Sequence, residues 1–414
     1  MKVGVVSQWF APEPVHLPGA VANDLAERGH EVRVLTGFPN YPEGRLYPGY
    51  RQRWKGRSTV NGCIVRRVPL YPSHDSSGVR RAVNYLSFAA TSSAAAIRFL
   101  SSVDVVYVYL TPATVFTAPA VLRLLRGVPA VIHLQDLWPE SVTASSMAPA
   151  GVTGRVVDRI LHAAMRRVYR MASSIAVISP SMRDLVVERG ADPARVRVVL
   201  NWADEAIFRP VDATASARRQ LGHRNRCTVM YAGAMGEFQN IDDSVRAAAA
   251  VESTGEVDLV LVGSGVAEAS ARSLATELGA GNVRFLGRRP AEQMPALYAA
   301  ADYQVVTLRN LPIFHATIPS KLQAALACGS PVVVSVPGDA AALVENAGIG
   351  FACPPENWRA LADRFLQAVK TSPADRAEMG RRARDCYLSR MSQRAGVDQL
   401  EEMLTGAAHG GPAR

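Results

Sequence analysis

Short apolar runs rich in β-branched residues alternate along the chain with longer segments in which apolar residues recur every three or four positions. The short runs predict buried strands, and the longer segments predict helices. The predicted strands form two series, 2–7, 31–36, 63–68, 103–109, 130–134, 174–178 and 196–200, then 228–231, 258–262, 283–286, 303–307, 331–336 and 350–352. Alternation of strand and helix is typical of a parallel sheet covered by helices on both faces. The pattern therefore predicts two α/β domains in tandem.

A polar, arginine-rich segment at 201–225 separates the two series and is interpreted as a hinge. The predicted domains are 1–205 and 206–385. We expect 386–408 to form a helix that packs back on the N-terminal domain, and 409–414 to be a tail. Open parallel sheets bind ligands beyond the carboxyl ends of their strands. Functional residues are therefore expected in loops that follow strands, and two facing domains would enclose a ligand in a cleft between them.

The composition is that of a folded protein with an excess of positive charge. The 414 residues include 46 Lys and Arg against 36 Asp and Glu, a formal net charge of +10, and 48% are hydrophobic. These values exclude a disordered chain or a coiled coil. They predict attraction to anions such as nucleotides, nucleic acid or an acidic membrane surface. Lysine is rare, because only four of the basic residues are lysines.

The cysteines and the N-terminus bear on the compartment. The five cysteines contain no C-x-x-C pair, which argues against a disulfide framework or a zinc site and fits a reducing cytosol. The N-terminus turns polar too early for the apolar region of a signal peptide. The uncharged stretch 105–122 is interrupted by Pro112 and Pro119, which favours a buried strand, turn and helix over a membrane span. We therefore expect a cytoplasmic protein.

Two loops of the N-terminal half carry candidate chemistry. After the first strand, Gly19 could let backbone amides approach an anion, and His16 could contact a ligand; an ordinary loop with a surface histidine is the alternative. The loop lacks G-x-G-x-x-G, which disfavours a nicotinamide site. After 130–134, the segment HLQDLWPES could hold the hydroxyls of a polar substrate. Its candidate residues are His133, Gln135, Asp136 and Glu140. Asp136 or Glu140 could instead cap the next helix.

Two glycine-containing loops follow predicted strands of the C-terminal half. AGAMGEFQNID contains Gly233, Gly236 and Asn240, and LVGSG contains Gly263. Exposed amides in such loops can bind a phosphate at a helix start. Many strand-to-helix loops look alike, so an ordinary loop remains the alternative for both.

The segment TIPSKLQAALACGSPVV carries the most specific local signal. Ser320 can cap a helix that stops at Gly329, and Lys321 adds a full positive charge beside the free amides of the first turn. Together they predict a diphosphate-binding site. Farther along, Glu345 could accept both hydroxyls of a ribose, or it could be a solvated glutamate at a helix end.

Residues 151–170 read as a basic amphipathic helix with five arginines outside its apolar face. Such a helix either packs on the sheet of the N-terminal domain or lies on an anionic membrane. The second interpretation would place the protein peripherally on the inner face of the membrane.

Missing motifs narrow the chemistry. No D-x-D occurs in a loop after a predicted strand, and G-x-x-x-x-G-K-[ST], G-x-S-x-G and H-E-x-x-H are absent. These absences disfavour a metal-chelating sugar transferase, a P-loop enzyme, a hydrolase with a nucleophile elbow and a zinc protease. We expect no metal and no cofactor. Nucleic-acid binding is disfavoured because the positive charge is dispersed.

In this order the segments resemble the retaining glycosyltransferases of family 4, whose members have two facing Rossmann-like domains, the GT-B architecture. The matching pieces include GHEVRVLTGFPNYPEG, DLWPES, YAGAMGEFQNID, TIPSKLQAALACGSPVV and VENAGIG, and they cover nearly the whole chain. The resemblance is strongest to a branch that makes bacterial surface polysaccharides and is similar to fucosamine-type transferases. It implies that the C-terminal domain binds a nucleoside diphosphate sugar and the N-terminal domain binds the acceptor.

The resemblance also implies roles for the candidate residues. Lys321 would be the catalytic cation, with Asp136, Gln135 and His133 as further catalytic candidates. The donor-binding set would be Gly19, Gly233, Gly236, Asn240, Gly263, Arg288, Ile318, Ser320, Lys321 and Glu345. The acceptor-binding pair would be His16 and Glu140, and no residue would bind a metal.

Three features depart from the family pattern. Two glutamates that many members carry eight residues apart correspond to Ala316 and Ala324. Gln135 stands where many members have a histidine. An arginine and lysine pair is replaced by the AGAMGEFQNID loop, which leaves Lys321 as the best candidate cation.

The sequence thus predicts metal-independent, retaining transfer of a hexosyl or hexosaminyl group from a nucleoside diphosphate sugar, with uridine diphosphate (UDP) favoured. The acceptor hydroxyl would belong to a lipid-linked saccharide of surface polysaccharide synthesis or to a specialised natural product. Two alternatives remain open. A nucleotide-sugar 2-epimerase would need several carboxylates that the candidate site lacks. A catalytically silent sugar-nucleotide-binding protein is motivated by Ala316 and Ala324.

Overall fold

The computed structural model describes residues 1–74, 77–140, 151–222 and 225–410. The chain folds as two compact units. Met1–Leu200 and the residues from Gly396 onward make the first unit, and Asn201–Ala395 makes the second.

The first unit contains an eight-stranded sheet. Its strands are β1 (Lys2–Val6), β2 (Glu31–Gly37), β3 (Ser58–Val60), β4 (Cys63–Val68), β5 (Val105–Leu110), β6 (Ala130–Leu134), β7 (Ser174–Val177) and β8 (Val196–Val198). Their spatial order is β3-β4-β2-β1-β5-β6-β7-β8. Every neighbouring pair is parallel except β3 with β4.

Strand β3 is the one element of this sheet that the hydrophobic pattern did not predict. It pairs antiparallel with β4 across a two-residue turn at Asn61 and Gly62, both of which have positive φ. Asn-Gly is the residue pair that such hairpin turns favour. The three residues of β3 are exposed or half-exposed, so the strand produces no apolar run. The Asn-Gly pair was the one signal in the sequence from which β3 could have been predicted.

The second unit contains a six-stranded parallel sheet. Its strands are β9 (Cys227–Ala232), β10 (Val257–Val262), β11 (Val283–Gly287), β12 (Tyr303–Thr307), β13 (Val332–Ser335) and β14 (Gly350–Cys353). Their spatial order is β11-β10-β9-β12-β13-β14. All five neighbouring pairs are parallel.

Fifteen α-helices occur in the described part of the chain. They are α1 (His16–Glu27), α2 (Gly78–Phe99), α3 (Thr117–Arg126), α4 (Gly151–Met171), α5 (Pro180–Glu188), α6 (Ala215–Leu221), α7 (Ile241–Ala250), α8 (Glu268–Glu277), α9 (Met294–Ala300), α10 (Pro312–His315), α11 (Ser320–Ala327), α12 (Asp339–Ala347), α13 (Trp358–Lys370), α14 (Pro373–Arg390) and α15 (Gln393–Ala408).

The strand runs are predominantly apolar because the sheets are covered on both faces. Every residue of β5, β6, β10 and β12 is buried, where a one-sided sheet would alternate buried and exposed positions. The predicted architecture of two parallel-sheet α/β domains is confirmed. The uncharged stretch 105–122 becomes β5, a short 3-10 turn and the start of α3. Among the described residues, no helix is long and apolar enough to cross a membrane.

The unit boundaries lie a few residues from the predicted ones. Glu205 accepts hydrogen bonds from the Tyr387 hydroxyl (2.9 Å) and from the Gln393 amide (2.8 Å). The Tyr387 hydroxyl in turn accepts one from the Ala203 amide at 3.2 Å. These contacts lie within the second unit, which holds 201–205 as well as 386–395. The segment that returns to the first unit therefore starts at Gly396, later than the predicted residue 386.

Helix α15 is anchored in the first unit by both apolar and charged contacts. Leu400 and Met403 are fully buried. Glu401 accepts a hydrogen bond from the Arg28 guanidinium at 2.6 Å and lies 2.7 Å from His30 Nε2. These contacts hold α15 against the turn between α1 and β2.

Candidate functional site

In the second unit, the loops after β9, β10 and β12 meet at the carboxyl edge of the sheet. The Gly233 amide donates to the Val262 carbonyl at 2.9 Å, which joins the loops after β9 and β10. The Thr307 hydroxyl donates to the Gln239 carbonyl at 2.5 Å, which joins the loops after β9 and β12. Open parallel sheets bind their ligands at this edge.

Lys321, in the first turn of α11, directs its side chain into this edge. Its Nζ lies 5.3 Å from the centre of the Tyr231 ring. Burial lowers the pKa of the Lys321 ammonium to about 8. A desolvated cation at a helix start is well suited to stabilise an anion.

Two glycines make room for this lysine. A Cβ at Gly233 would lie 2.7 Å from Cε of Lys321, and a Cβ at Gly263 would lie 1.9 Å from the Gly233 carbonyl oxygen. Both residues have positive φ, at +133° and +140°, which L side chains rarely adopt. We call Gly233, Gly263 and Lys321 the Lys321 site. The structure brings together these three predicted residues.

The residues around the Lys321 site are fixed by local hydrogen bonds. The Gly236 amide donates to Gln239 Oε1 at 2.9 Å. Asn240 adopts a left-handed conformation at the start of α7 and donates to Asp243 at 2.7 Å. Arg288 is exposed and follows directly after β11, so it also lies at the carboxyl edge.

The start of α11 differs in detail from the prediction. Pro319 occupies the N-cap position and Ser320 is the first helical residue, so the predicted cap by the Ser320 hydroxyl is wrong. A proline has no side-chain acceptor with which to cap a helix. The Ser320 side chain is instead exposed. The buried side-chain amide of Gln323 donates to the Ile318 carbonyl at 3.0 Å and so fixes the loop before the helix.

The structure does not bring Glu345 to the Lys321 site. It is exposed in the last turn of α12, which runs from the carboxyl end of β13 back toward the amino end of β14. The direction of α12 therefore carries this carboxylate away from the carboxyl edge, where the Lys321 site lies, and the ribose contact of Glu345 stays a prediction.

Sequence reasoning missed a third cation at the carboxyl edge, besides Lys321 and Arg288. Arg309 follows β12 and is exposed. Its Nε donates to the Glu237 carbonyl and its amide to the Phe238 carbonyl, both at 2.9 Å. A basic residue within two positions of a buried strand was the available signal.

In the first unit, Asp136 lies beyond the carboxyl end of β6 and accepts a hydrogen bond from the Thr111 hydroxyl. Burial raises the pKa of Asp136 above its ordinary value. The Asp136 charge in turn contributes to the raised pKa of Tyr41 and of Tyr85. A carboxylate of raised pKa among phenols can accept a hydrogen bond from a substrate hydroxyl.

His133 does not accompany Asp136 at the sheet edge. Its side chain is fully buried, and Nδ1 lies 2.9 Å from the Tyr107 hydroxyl. Burial lowers the pKa of the His133 ring to about 4. The predicted catalytic role of His133 is wrong, because substrate cannot reach the ring. The neighbouring Gln135 is also nearly fully buried.

Glu140 is committed to an ion pair. Its two oxygens accept from the Arg189 guanidinium at 2.5 and 3.0 Å. This bidentate pair joins the end of the β6 loop to the end of α5. The predicted acceptor contact of Glu140 is replaced by this structural role.

The two predicted residues of α1 lie in its first turn. His16 begins the helix and is exposed, and Gly19 lies three residues farther along. A Cβ at Gly19 would meet nothing within 4 Å, so packing in this unit does not require glycine there.

An aromatic cluster that the sequence analysis missed lies where the strands of the first unit end. Trp9, Tyr41 and His74 form it, with ring centres 5.0 Å apart for Trp9 and Tyr41 and 4.7 Å apart for Tyr41 and His74. Buried Glu13 accepts from the Tyr41 amide at 2.9 Å and so fixes the loop that carries this ring. Partly exposed aromatic rings can stack on the faces of sugars. Aromatic residues directly after strands were the available signal.

Two family models together match most of the chain. The glycosyl transferase 4-like domain matches residues 19–202, and the glycosyl transferases group 1 domain matches residues 214–385. The chain is 28% identical over 380 residues to the putative colanic acid biosynthesis glycosyl transferase WcaI of Escherichia coli (strain K12), covering 89% of this chain and 92% of that protein. It is 27% identical over 266 residues to the probable glycosyltransferase WbjE of Pseudomonas aeruginosa, covering 63% and 64%.

The fold is similar to that of Anabaena Alr3699/HepE solved in complex with UDP. The two structures share 20% sequence identity with a TM-score of 0.71, and the match covers 98% of this chain and 100% of that one. Two parallel-sheet α/β units of this kind are those of a GT-B glycosyltransferase, an enzyme that uses nucleotide-sugar donors. The chain belongs to the family 4 glycosyltransferases.

Proposed function

We propose that this enzyme transfers a sugar from UDP to an acceptor hydroxyl with retention at the anomeric carbon and without a metal ion. The observation that carries the proposal is the Lys321 site, where a partly buried ammonium lies at a helix start beside two glycines. Such a site provides the charge compensation that a divalent ion gives in other transferases. The UDP bound in the Alr3699/HepE structure supports the choice of base.

The Lys321 site acts on the leaving group in this mechanism. As the bond between the anomeric carbon and the phosphate oxygen breaks, negative charge grows on the diphosphate, and Lys321 with the first amides of α11 stabilises it. The acceptor oxygen bonds to the same face of the anomeric carbon. The phosphate oxygen that leaves takes the proton of the acceptor hydroxyl, so the step needs no separate strong base.

The first unit supplies the acceptor contacts in this proposal. Asp136 accepts a hydrogen bond from an acceptor hydroxyl, and the partly exposed rings of Trp9 and Tyr41 stack on a sugar face. These roles replace the ones that the sequence assigned to His133 and Glu140.

We further propose that the acceptor is a lipid-linked saccharide of surface polysaccharide synthesis, as in the fucosamine-type branch. The colanic acid context in the name of WcaI supports this choice. Helix α4 exposes 47% of Val156 and 61% of Ile160 beside the exposed Arg155 and Arg159. An apolar face flanked by arginines suits the surface of an anionic membrane, so α4 would place the protein peripherally on the inner face of the membrane. A specialised natural product is the competing acceptor.

A donor-binding experiment tests the Lys321 site. Thermal shifts are measured with the diphosphates of uridine, guanosine, adenosine and thymidine and with their sugars, with and without Mg²⁺. A ligand that binds the folded state raises its apparent stability. We expect a selective shift with UDP and UDP-sugars that does not need Mg²⁺. Lys321→Ala should abolish the shift, and Lys370→Ala, which changes an exposed lysine of α13, should retain it.

Turnover separates the transferase from a silent binding protein. The second candidate is favoured by Ala316 and Ala324, which are both buried where many family members carry glutamate. A transferase must release UDP and form a glycoside whose anomeric configuration, read by NMR, equals that of the donor. Donor binding with no release of UDP across a broad panel of acceptors would instead favour the silent binding protein.

A further inference from the structure

The second unit has a cavity at the amino edge of its sheet, which we call the rear cavity. Its volume is about 920 Å³. Asp302, which directly precedes β12, and Ser330, two residues before β13, both line it, as does one face of α14. The rear cavity therefore lies at the opposite edge of the sheet from the Lys321 site, and the proposed transfer does not use it.

Positive charge dominates the lining of the rear cavity. Its charged residues are Asp302, Arg218, Arg376, Arg381 and Arg384. Arg376 pairs with Asp302 at 3.1 Å, and Arg381 pairs with Glu378 on its own helix. Two of the four arginines are thus balanced by carboxylates.

Among the residues that the structure describes, no carboxylate forms an ion pair with the other two arginines. Arg384 donates to the neutral carbonyl of Ala327 at 2.6 Å. Arg218 is exposed in the last turn of α6, and no ion pair of its side chain occurs within the described residues. Asp302, the one acidic residue of the lining, pairs with Arg376, so the guanidinium groups of Arg218 and Arg384 remain for an anionic ligand.

The remaining walls leave room for a ligand. Ala299, Ala301, Gly329 and Gly380 contribute little side-chain volume. A Cβ at Gly380 would lie 2.7 Å from the Gly329 carbonyl oxygen, so α14 lies directly against the turn that precedes β13. Small-molecule sites usually have volumes of about 300–1,000 Å³, and the rear cavity falls in that range.

We propose that the rear cavity binds a phosphorylated small molecule through Arg218 and Arg384. The planar guanidinium group presents parallel N–H donors that match the oxygens of a phosphate. Ala327, the partner of Arg384, ends α11, and Lys321 stands in the first turn of that helix. An anion bound to Arg384 would thus contact a side chain that is hydrogen-bonded to the last residue of the helix that carries the donor contact.

Titration of the whole protein with inorganic pyrophosphate tests this proposal. Pyrophosphate could also occupy the Lys321 site, so calorimetry is done on the wild type, Arg218→Gln and Lys321→Ala. We expect two binding events in the wild type. Arg218→Gln should weaken one of them about tenfold, as loss of a charge-assisted pair predicts, and should leave UDP binding unchanged. Lys321→Ala should remove the other event.

Arg272→Gln is the matched control, because Arg272 is an exposed arginine of the same unit that pairs with Glu268 outside the rear cavity. Arg384→Gln, checked for its fold by circular dichroism, is a second variant that should weaken the same event as Arg218→Gln. Equal binding by Arg218→Gln and the wild type, equal weakening by Arg272→Gln, or loss of all binding in Lys321→Ala would each overturn the proposal. If Lys321→Ala binds pyrophosphate like the wild type while Arg218→Gln binds it more weakly, the assignment of Lys321 to the donor site is contradicted and the proposal for the rear cavity is supported.

Discussion

Lys321 and Gly233 fit together so closely that a Cβ on residue 233 would lie 2.7 Å from Cε of the lysine. The lysine comes from the start of α11 and the glycine from the loop after β9. The position of the ammonium group therefore depends on the absence of a side chain in a loop that is distant in sequence. This dependence makes the donor assignment testable without removing the lysine.

Gly233→Ala should weaken UDP binding about tenfold, which corresponds to ~1.4 kcal/mol. The added methyl group displaces the Lys321 side chain, and the positive φ of residue 233 strains an alanine there. Calorimetry with UDP measures the affinity, and thermal unfolding measures the stability.

Gly279→Ala separates these two effects. Gly279 also has positive φ, at +64°, but a Cβ there would meet nothing within 4 Å. This variant should lose stability from backbone strain and bind UDP like the wild type. Equal UDP affinity of folded Gly233→Ala and the wild type would contradict the contact between residue 233 and the lysine that binds the donor.

The pH dependence of UDP binding follows from the pKa of Lys321, which burial lowers to about 8. Below that pH the free protein already carries the ammonium charge that binds the diphosphate. Above it, binding must take up a proton, so the affinity should fall as pH rises, by at most about tenfold per pH unit. Calorimetry between about pH 7 and 9.5 in buffers of different ionisation enthalpy measures both the affinity and the proton uptake.

Lys321→Arg is the control for this titration, because a guanidinium stays charged throughout the range. Its UDP affinity should vary little with pH, even if the affinity itself is lower. A wild-type profile as flat as that of Lys321→Arg would show that another group carries the charge.

The sequence predicts the strands well because both sheets are buried on two faces. β5 is an uninterrupted apolar run and β10 is apolar apart from Asp258, so both strands are visible without any partner. β3 has no such run, since its three residues depend on a turn at Asn61 and on pairing with β4. The hydrophobic pattern therefore predicts strands that are marked by their own apolar residues, and it misses a strand that forms only through pairing with a neighbour.

Side-chain roles are predicted less well, because they depend on partners that are distant in sequence. Lys321 was identifiable because its helix start and charge are local. Glu140 gave no sign of its pairing with Arg189, which is supplied by another helix. The Trp9 and Tyr41 rings follow different strands and meet only when β1 and β2 pair.

His133 should contribute to the loss of stability below neutral pH, and it should not contribute to catalysis. Its pKa is lowered to about 4 in the fold, below its ordinary value near 6.5, so the unfolded chain binds a proton first as pH falls. Stability should therefore decrease from about pH 6.5 to pH 4, by at most about 1.4 kcal/mol per pH unit from this residue. Urea unfolding of the wild type and His133→Gln across this range measures the contribution.

His162→Gln is the matched control, because His162 is partly exposed and lies 3.7 Å from Asp158. It should retain the wild-type slope, whereas His133→Gln should have a shallower one and an unchanged kcat at neutral pH. A large loss of kcat in well-folded His133→Gln would restore the catalytic role that the sequence assigned to His133.

The pair of Glu140 and Arg189 should contribute to stability. Because the two hydrogen bonds are bidentate and the Arg189 side chain is only 18% exposed, Glu140→Gln should destabilise the protein by about 1 kcal/mol. Asp184→Asn, in a more exposed pair with Arg183, should have almost no effect. A double-mutant cycle with Arg189→Gln isolates the coupling between the two side chains, and a coupling near zero would contradict the structural role.

Asp136→Asn should impair the use of the acceptor while leaving the donor site intact. The amide keeps the shape of the side chain but loses the charge that accepts a strong hydrogen bond from an acceptor hydroxyl, so kcat/KM for the acceptor should fall about 10- to 100-fold. UDP affinity should stay at the wild-type value, because Asp136 and Lys321 belong to different units.

Glu140→Gln is the control, since it changes a carboxylate four residues away that is already held by Arg189. If the two variants have equal acceptor kinetics, Asp136 is not the acceptor contact, and the aromatic cluster of Trp9, Tyr41 and His74 is left as the acceptor candidate in the described part of this unit.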